Sequence, residues 1–225
     1  MPEIKAFRAW RYNREKINNL TRVYSPPYDV ISPKAQANLY EQSPFNVIRL
    51  ELGKDEPGDK PGRDKYARAR GFLSDWKSKK VLIREESPAL YVHAQDYVEE
   101  GLKKTRLGFF AAMKIDEKAV LRHENTLATP KKDRMALLKE VKTNLSPIFG
   151  LFEDKKGAVQ VLLRQTMADR PIIDVTIDGV RHRIFVETHP ERIAAIQKHM
   201  RAKPMFIADG HHRFEVACQF KRWME

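Results

Sequence analysis

The chain has 225 residues with 42% hydrophobic side chains, which supplies a sizeable core and excludes wholesale disorder. Its one cysteine, Cys218, excludes a disulfide framework and a multi-cysteine zinc site and is typical of a reducing cytoplasm. The 42 lysines and arginines exceed the 30 aspartates and glutamates, a net charge of +12 that favours an anionic partner. Because no apolar run approaches the roughly 20 residues that cross a bilayer, we expect a cytoplasmic protein that does not engage a membrane.

The excess positive charge is spread along the chain. In four successive blocks that end at residues 50, 112, 150 and 225, the excess is +4, +2, +3 and +3. The sequence has no basic arm and no lysine-rich tail, and its Lys-Lys pairs are typical of solvated edges. The charge along the sequence is therefore weak support for nucleic-acid binding.

The first half of the chain shows apolar patterns of both strands and helices. A Ser-Pro pair at Ser32 marks a helix start, and Gly101 marks a turn between two strands. The pattern predicts a strand over 4–11, a helix over 33–41, a strand over 46–52, a surface loop over 53–62, a helix over 63–80 and strands over 89–98 and 105–115.

The second half continues this alternation. Asp178-Gly179 is a strong hairpin signal. The pattern predicts a helix over 131–141, a strand over 146–152, a helix over 158–167, strands over 171–177 and 181–187, a helix over 190–200, a strand over 205–208 and a final helix to the end of the chain. Since there is no strict βαβ period, the predicted fold class is α+β, a mixed sheet with surrounding helices.

The strongest functional pattern lies where the last predicted strand meets the last helix. Such a junction presents backbone N–H groups at the positive end of the helix dipole, and Gly210 lets an anion approach them. Arg213 can donate two hydrogen bonds to a phosphate, and Asp209 can hold Mg²⁺ or orient a hydroxyl. His211 and His212 can contact phosphate oxygens or transfer a proton. The alternative is that Asp209 caps the helix and the histidines are surface or packing residues.

A second polar stretch, residues 123–127, precedes the basic residues of 130–134. Glu124 beside His123 can form an acid–base pair, and Lys131 or Arg134 can bind an anion. The alternative is a capped helix start with solvated charges.

Three weaker features complete the survey of candidate sites. Residues 144–150 favour a turn into a buried strand, and the turn at 25–29 can line a pocket or serve as scaffold. Cys218 follows Phe214 at helical spacing, which favours a buried thiol. The sequence contains neither a P-loop nor a G-x-G-x-x-G motif, so ordinary nucleotide sites of those two kinds are excluded.

Six segments, in order along the chain, resemble the family called domain of unknown function 1015, which comprises uncharacterised and mainly prokaryotic proteins. They are SPPYDVIS (25–32), SPFNVIRLELG (43–53), HENTL (123–127), PKKDR (130–134), NLSPIFGLF (144–152) and IADGHHRFE (207–215). Members of that family are usually much longer. The resemblance therefore implies that this chain is an N-terminal portion of a longer architecture or a naturally short relative.

The Asp-Gly-His-His-Arg segment also resembles the phosphate-binding turn of the ParB/sulfiredoxin-like fold. ParB proteins hold the phosphates of a cytidine nucleotide with a Gly-x-x-Arg turn, which Gly210 and Arg213 match. Free-serine kinases of this fold use an Asp-Gly-x-x-Arg turn, which Asp209 completes. His211 stands where sulfiredoxins carry their catalytic cysteine, so sulfiredoxin chemistry is not implied. The resemblance implies one ParB/sulfiredoxin-like domain over residues 1–225, with a large insertion over about 53–200.

Two functions follow as hypotheses. The first is phosphotransfer from ATP, ADP or CTP with Mg²⁺ to a small hydroxyl compound, or NTP hydrolysis. Its catalytic residues are Asp209, His211, His212 and Glu124, with Mg²⁺ on Asp209. Its nucleotide-binding residues are Gly210, His211, His212, Arg213, His123, Lys131 and Arg134. The second is a non-catalytic ParB-like module that binds a nucleotide or DNA, which the lack of a basic arm and of a helix-turn-helix disfavours.

Overall fold

The structure, a computed structural model, describes residues 2–124, 128–201 and 203–225. Those residues form eleven β-strands and seven α-helices, which confirms the α+β class. In chain order they are β1 (Ile4–Lys5), β2 (Trp10–Tyr12), α1 (Pro33–Gln42), α2 (Ile48–Glu51), α3 (Lys65–Ser78), β3 (Leu82–Arg84), β4 (Leu90–Glu99), β5 (Leu102–Phe110), β6 (Ala112–Met113), β7 (Val120–Leu121), α4 (Ala128–Val141), β8 (Phe149–Leu151), α5 (Ala158–Thr166), β9 (Ile173–Ile177), β10 (Val180–Glu187), α6 (Pro190–Arg201), β11 (Met205–Asp209) and α7 (His211–Met224). None of the described helices is both long and apolar enough to cross a membrane.

Contacts along the backbone divide the chain into two compact units. Unit 1 comprises Met1–Ala9, Arg84–His123 and Phe149–Ala208, and unit 2 comprises Trp10–Ile83, Glu124–Ile148 and Asp209–Glu225. The organisation as one domain with an insertion over about 53–200 stays a prediction.

Unit 1 is built around an antiparallel sheet with the strand order β5-β4-β10-β9. Alternate residues such as Val92 and Phe185 point to one face and pack with α5 and α6, whose Leu163 and Ile196 belong to the same buried cluster. Burial of each such side chain contributes about 1.5–3 kcal/mol. This apolar layer forms the core of unit 1.

Both hairpins of this sheet close with two-residue turns. Glu100 and Gly101 have φ of 52° and 76°, and Asp178 and Gly179 have φ of 49° and 80°. Two successive residues of positive φ match the right-handed twist of the flanking strands. The Asp178-Gly179 hairpin is thereby confirmed, and the tight first turn makes β5 start at Leu102 rather than at residue 105.

The predicted single mixed sheet is replaced by four small sheets among the described residues. The parallel pairing occurs in unit 1, where β11 pairs with β7 in a three-stranded sheet of order β7-β11-β8. The strand predicted over 4–11 is two strands, because β1 pairs with β6 whereas β2 pairs with β3.

Unit 2 is mainly helical, and its helix starts follow local capping signals. The Ser32 hydroxyl accepts a hydrogen bond from the Ala35 N–H at 3.2 Å, which confirms the predicted cap of α1. Asp64 caps α3 in the same way. Trp76 of α3 and Phe214 of α7 are each 1% exposed and belong to the buried apolar residues of this unit.

The strand predicted over 46–52 is wrong, because a single helical turn, α2, occupies this place. The Asn46 side chain explains the difference. Its Oδ1 accepts from the Ile48 N–H at 2.9 Å, and its Nδ2 donates to the carbonyls of Arg22 at 3.0 Å and Tyr24 at 2.9 Å. An asparagine that bonds nearby backbone favours a turn or helix start over an extended strand.

The helix predicted from residue 131 begins at Ala128, with Pro130 in its first turn, where proline is tolerated. Residues 125–127, the centre of the predicted polar motif before this helix, lie outside the described residues.

Candidate functional site

The junction after β11 has the predicted form. Gly210 has φ of 94°, a left-handed conformation that glycine adopts without strain, and α7 begins at His211. The Phe214 N–H donates to the Gly210 carbonyl at 2.9 Å, the first bond of the helical ladder. The preceding N–H groups lie at the positive end of a 14-residue helix, where an anion is stabilised.

Arg213 folds back over this turn. Its Nη2 lies 2.5 Å from Asp209 Oδ2, and its Nη1 donates to the Pro147 carbonyl. A Cβ added to Gly210 would lie 3.1 Å from the Arg213 guanidinium carbon. Gly210 is therefore needed both for its φ and for the close approach of Arg213.

Asp209 does not cap α7, since Gly210 occupies the N-cap position and the Asp209 carboxylate contacts Arg213 instead. The alternative reading of Asp209 as a helix cap is thus wrong. Within the described residues, no three His, Cys, Asp or Glu side chains gather as a metal site. One half-exposed carboxylate that already holds an arginine does not fit a resident Mg²⁺ ion.

His211 is buried and lies against Glu124. The imidazole is 3% exposed, and its Nδ1 lies 3.4 Å from Glu124 Oε2, on a carboxylate that is 57% exposed. Glu124 therefore meets His211, a contact that the predicted pairing with His123 did not include. His123 is exposed and belongs to unit 1, and His212 is half-buried. A buried imidazole next to an exposed carboxylate can pass a proton between the interior and the solvent.

Lys131 joins two helices of unit 2. Its Nζ lies 2.8 Å from Glu215 Oε1, and both side chains are about one-fifth exposed. This ion pair connects α4 to α7. The Lys131 ammonium is thus engaged by a carboxylate of the protein.

Arg134 is buried rather than solvated, with 6% of its side chain exposed. Its Nη1 donates to the Glu51 carbonyl at 2.8 Å and lies 3.2 Å from Glu51 Oε1. Its Nε donates to Asp133 Oδ2 at 2.9 Å, and its guanidinium lies 4.1 Å from the Tyr28 ring centre. A charge removed from water needs such partners, so the network fixes Arg134 in place.

Burial and the neighbouring charges together set the pKa values of the groups around Arg134. Burial would raise the pKa of Asp133, but the Arg134 charge and a hydrogen bond from the Tyr66 hydroxyl outweigh it and lower the pKa. Burial and the hydrogen bond to Asp133 raise the pKa of Tyr66. Burial also raises the pKa of Tyr28, against the opposing charges of Arg134 and Arg213. Asp133 is therefore an anion and both tyrosines are neutral at pH 7.

An open cleft of about 60 Å³ lies within unit 2, and both Arg134 and Arg213 line it. The Ser146 hydroxyl at its wall donates to Glu51 Oε1 at 2.8 Å. The lining residues are Glu51, Arg134, Leu137, Leu138, Val141, Thr143, Asn144, Leu145, Ser146, Arg213 and Val216. The lining thus holds two guanidinium groups and the Glu51 carboxylate, and each guanidinium also pairs with a further carboxylate, that of Asp133 or Asp209.

A family model described as "Protein of unknown function (DUF1015)" matches residues 4–225. The chain belongs to the DUF1015 family. No curated protein and no solved structure matches it. The DUF1015 resemblance of the six segments is confirmed, whereas the likeness of the turn at Gly210 to the ParB/sulfiredoxin-like fold stays a prediction.

In this DUF1015 protein, the structure brings together residues that the sequence separated. Arg134 and Arg213, both predicted anion ligands, line one cleft, whereas Lys131 pairs with Glu215. Sequence reasoning missed Glu51 and Ser146. Both lie in segments that carried the family resemblance, 43–53 and 144–152, and this was the signal that could have found them.

Proposed function

We propose that unit 2 binds a phosphate group of a nucleotide at the first turn of α7, next to the cleft that Arg213 lines. The observation that carries the proposal is the convergence of Arg213, the α7 N-terminus and Arg134 within one unit. Such a combination of backbone N–H groups, dipole and guanidinium is suited to phosphate.

The two arginines have different parts in this site. Arg134 is held by hydrogen bonds to Glu51 and Asp133, whose carboxylates balance its charge, so it fixes the wall of the cleft. Arg213 is held by a half-exposed carboxylate and a main-chain carbonyl, and both are acceptors that a phosphate can replace. Arg213 is thus the group that changes partner on binding.

The size of the cleft limits what enters it. Pockets for whole small molecules measure roughly 300–1,000 Å³, well above the cleft's volume of about 60 Å³. The nucleoside therefore remains outside the cleft, and the phosphate on Arg213 lies beside it.

The proposed reaction is phosphoryl transfer to a small hydroxyl compound or to water, which depends mainly on positioning and charge neutralisation. Asp209 is released when Arg213 turns to the phosphate and then orients the attacking hydroxyl. The hydroxyl oxygen bonds to the terminal phosphorus while the P–O bond to the rest of the nucleotide breaks, and the nucleotide leaves with one phosphate fewer. His211 accepts the hydroxyl proton and Glu124 passes it to solvent, while His212 contacts the phosphate.

Isothermal titration of ATP, ADP and CTP, with and without Mg²⁺, tests the binding step. Arg213→Ala is expected to weaken binding about 10- to 100-fold, because it removes a charge-assisted fork. The matched control is Arg183→Ala in unit 1, since Arg183 is also ion-paired, 2.8 Å from Asp96, and 23% exposed. A folded wild-type protein that binds none of the three nucleotides contradicts the proposal.

Turnover is a separate measurement. The enzyme hypothesis is supported if His211→Asn lowers the rate of phosphate release or transfer while the nucleotide affinity stays that of wild type. Nucleotide binding without turnover assigns the chain to the second hypothesis, a regulatory module.

A further inference from the structure

The net charge is unequally divided between the two units. Unit 2 has 23 basic and 15 acidic side chains, whereas unit 1 has 19 and 15. Two thirds of the net charge of +12 thus belongs to unit 2. Counting along the sequence hid this difference, because each unit is assembled from three separate segments.

Within unit 2, two basic segments lie side by side. The Asn13 N–H donates to the Val81 carbonyl at 2.8 Å, and the Asn13 side chain donates to the Lys80 carbonyl at 3.2 Å. The Lys16 ammonium donates to the Lys79 carbonyl. These contacts place residues 10–16 next to residues 75–80. We call the resulting surface the basic patch: Trp10, Arg11, Arg14, Lys16, Lys77, Lys79 and Lys80.

The basic patch holds an exposed aromatic ring. Trp10 is 40% exposed, whereas Trp76 of the same unit is 1% exposed. The Lys77 ammonium lies 4.7 Å from the centre of the Trp10 ring. An accessible indole beside an ammonium group provides both a stacking surface and charge.

The end of a helix explains only part of this charge. Lys77 lies in the last turn of α3, and Lys79 follows the last residue of that helix and pairs with Asp75 at 2.8 Å. Cations at the C-terminal end of a helix complement the helix dipole. Arg14 is exposed and lies outside that helix. Lys80 is also exposed and has a φ of 54°, beyond the helical turn. Neither side chain has an ion-pair partner among the residues that the structure describes.

We propose that the basic patch binds single-stranded nucleic acid, with phosphates on Arg14, Lys79 and Lys80 and a base stacked on Trp10. Backbone charge and base–aromatic stacking are the two contributions that such binding combines. An acidic polypeptide would use the cations but would gain little from the indole. This surface is separate from the cleft that Arg213 lines, so it does not depend on nucleotide binding there.

The test is fluorescence anisotropy of a labelled oligothymidylate of about 20 nucleotides with the full chain, over a series of salt concentrations. The triple variant Arg14→Ala/Lys79→Ala/Lys80→Ala is expected to lower the slope of log K against log salt by about 2. Trp10→Ala is expected to weaken binding about 5- to 100-fold at an unchanged slope, and Trp10→Phe to keep most of the affinity.

Matched variants keep the proposal falsifiable. Lys155→Ala/Lys156→Ala removes two neighbouring exposed lysines of unit 1 and is expected to leave affinity and slope unchanged. The proposal is overturned if folded wild type does not bind at the lowest salt, or if this control weakens binding as much as the triple variant. It is also overturned if polyglutamate competes fully while Trp10→Ala binds like wild type, which identifies an acidic polypeptide as the partner.

Discussion

Glu187 in unit 1 and Glu51 in unit 2 are both buried, yet their carboxylates are used differently. Both oxygens of Glu187 are satisfied: Arg192 Nε and the Thr166 hydroxyl donate to Oε2 at 2.5 Å, and the His189 N–H donates to Oε1 at 2.7 Å. In Glu51, the Arg134 guanidinium and the Ser146 hydroxyl both donate to Oε1, among the residues that the structure describes. Glu51 also lines the cleft.

The difference is between a carboxylate that the fold encloses and one that lies at the wall of a cleft. Burial would raise the pKa of Glu187, but the hydrogen bonds from Arg192, Thr166 and His189 outweigh it and lower the pKa. Its charge is therefore stabilised entirely by the protein. Glu51 instead lines the cleft of unit 2, next to the place where we propose that a phosphate binds.

The largest expected effect is on Glu187. Replacement by alanine leaves Arg192 without its buried partner and is expected to reduce the unfolding free energy by about 3–5 kcal/mol. Glu51→Ala is expected to cost less, about 1–3 kcal/mol, because Asp133 still pairs with Arg134. Urea denaturation measures both, and exposed Glu191→Ala is the control with a change below about 1 kcal/mol. Equal losses for Glu187 and Glu51 would remove the contrast.

A second prediction is that unit 1 loses stability at a higher pH than unit 2 as the solution is acidified. His93 Nε2 lies 3.1 Å from His182 Nδ1 on the sheet of unit 1. Burial, with the charges of His182 and Arg106, lowers the pKa of His93 from its usual 6.5 to about 4. The unfolded chain then binds the proton more readily, so this stability is complete above pH 6.5 and is lost as the pH falls towards 4.

The expected loss is about 2 kcal/mol between pH 7 and pH 5. Asp133 of unit 2 has a lowered pKa, so its contribution persists until the pH falls below about 4. Hydrogen exchange read out by peptide is expected to show unit 1 loosening first, and His93→Gln to abolish that difference. Simultaneous loosening of both units in wild type would disagree with this order.

The smallest predicted effect compares two glycines of positive φ. Gly179→Ala in unit 1 meets open space and is expected to cost about 1 kcal/mol of backbone strain. Gly210→Ala in unit 2 adds the displacement of Arg213 and is expected to cost about 2 kcal/mol, together with loss of nucleotide binding. Thermal denaturation measures the loss of stability, and nucleotide titration measures the loss of binding. If Gly210→Ala keeps the nucleotide affinity of wild type, the turn at Gly210 is not part of the nucleotide site.

Local signals were readable from the sequence. The Ser32 cap, the Asp178-Gly179 hairpin and the junction at Gly210 each depend on residues within a few positions of one another, and the structure contains all three. Neighbouring residues determine such turns and caps, so the pattern suffices to predict them.

Partners that are distant in the chain were not readable. Lys131 and Glu215 are separated by 84 positions, and Arg134 and Glu51 by 83. Asn46 reaches the carbonyls of two residues more than 20 positions earlier and so replaces a strand by a helical turn. These choices depend on tertiary packing, which the order of residue types does not display.

The burial of Cys218 has a practical consequence. It is the single thiol of the sequence, and it is 2% exposed on α7, the helix whose first turn forms the proposed phosphate site. A thiol reagent can modify it only when that helix transiently opens. The rate at which a thiol reagent labels the wild-type protein therefore measures how often α7 opens locally, because the sequence has no other cysteine that would contribute to the signal.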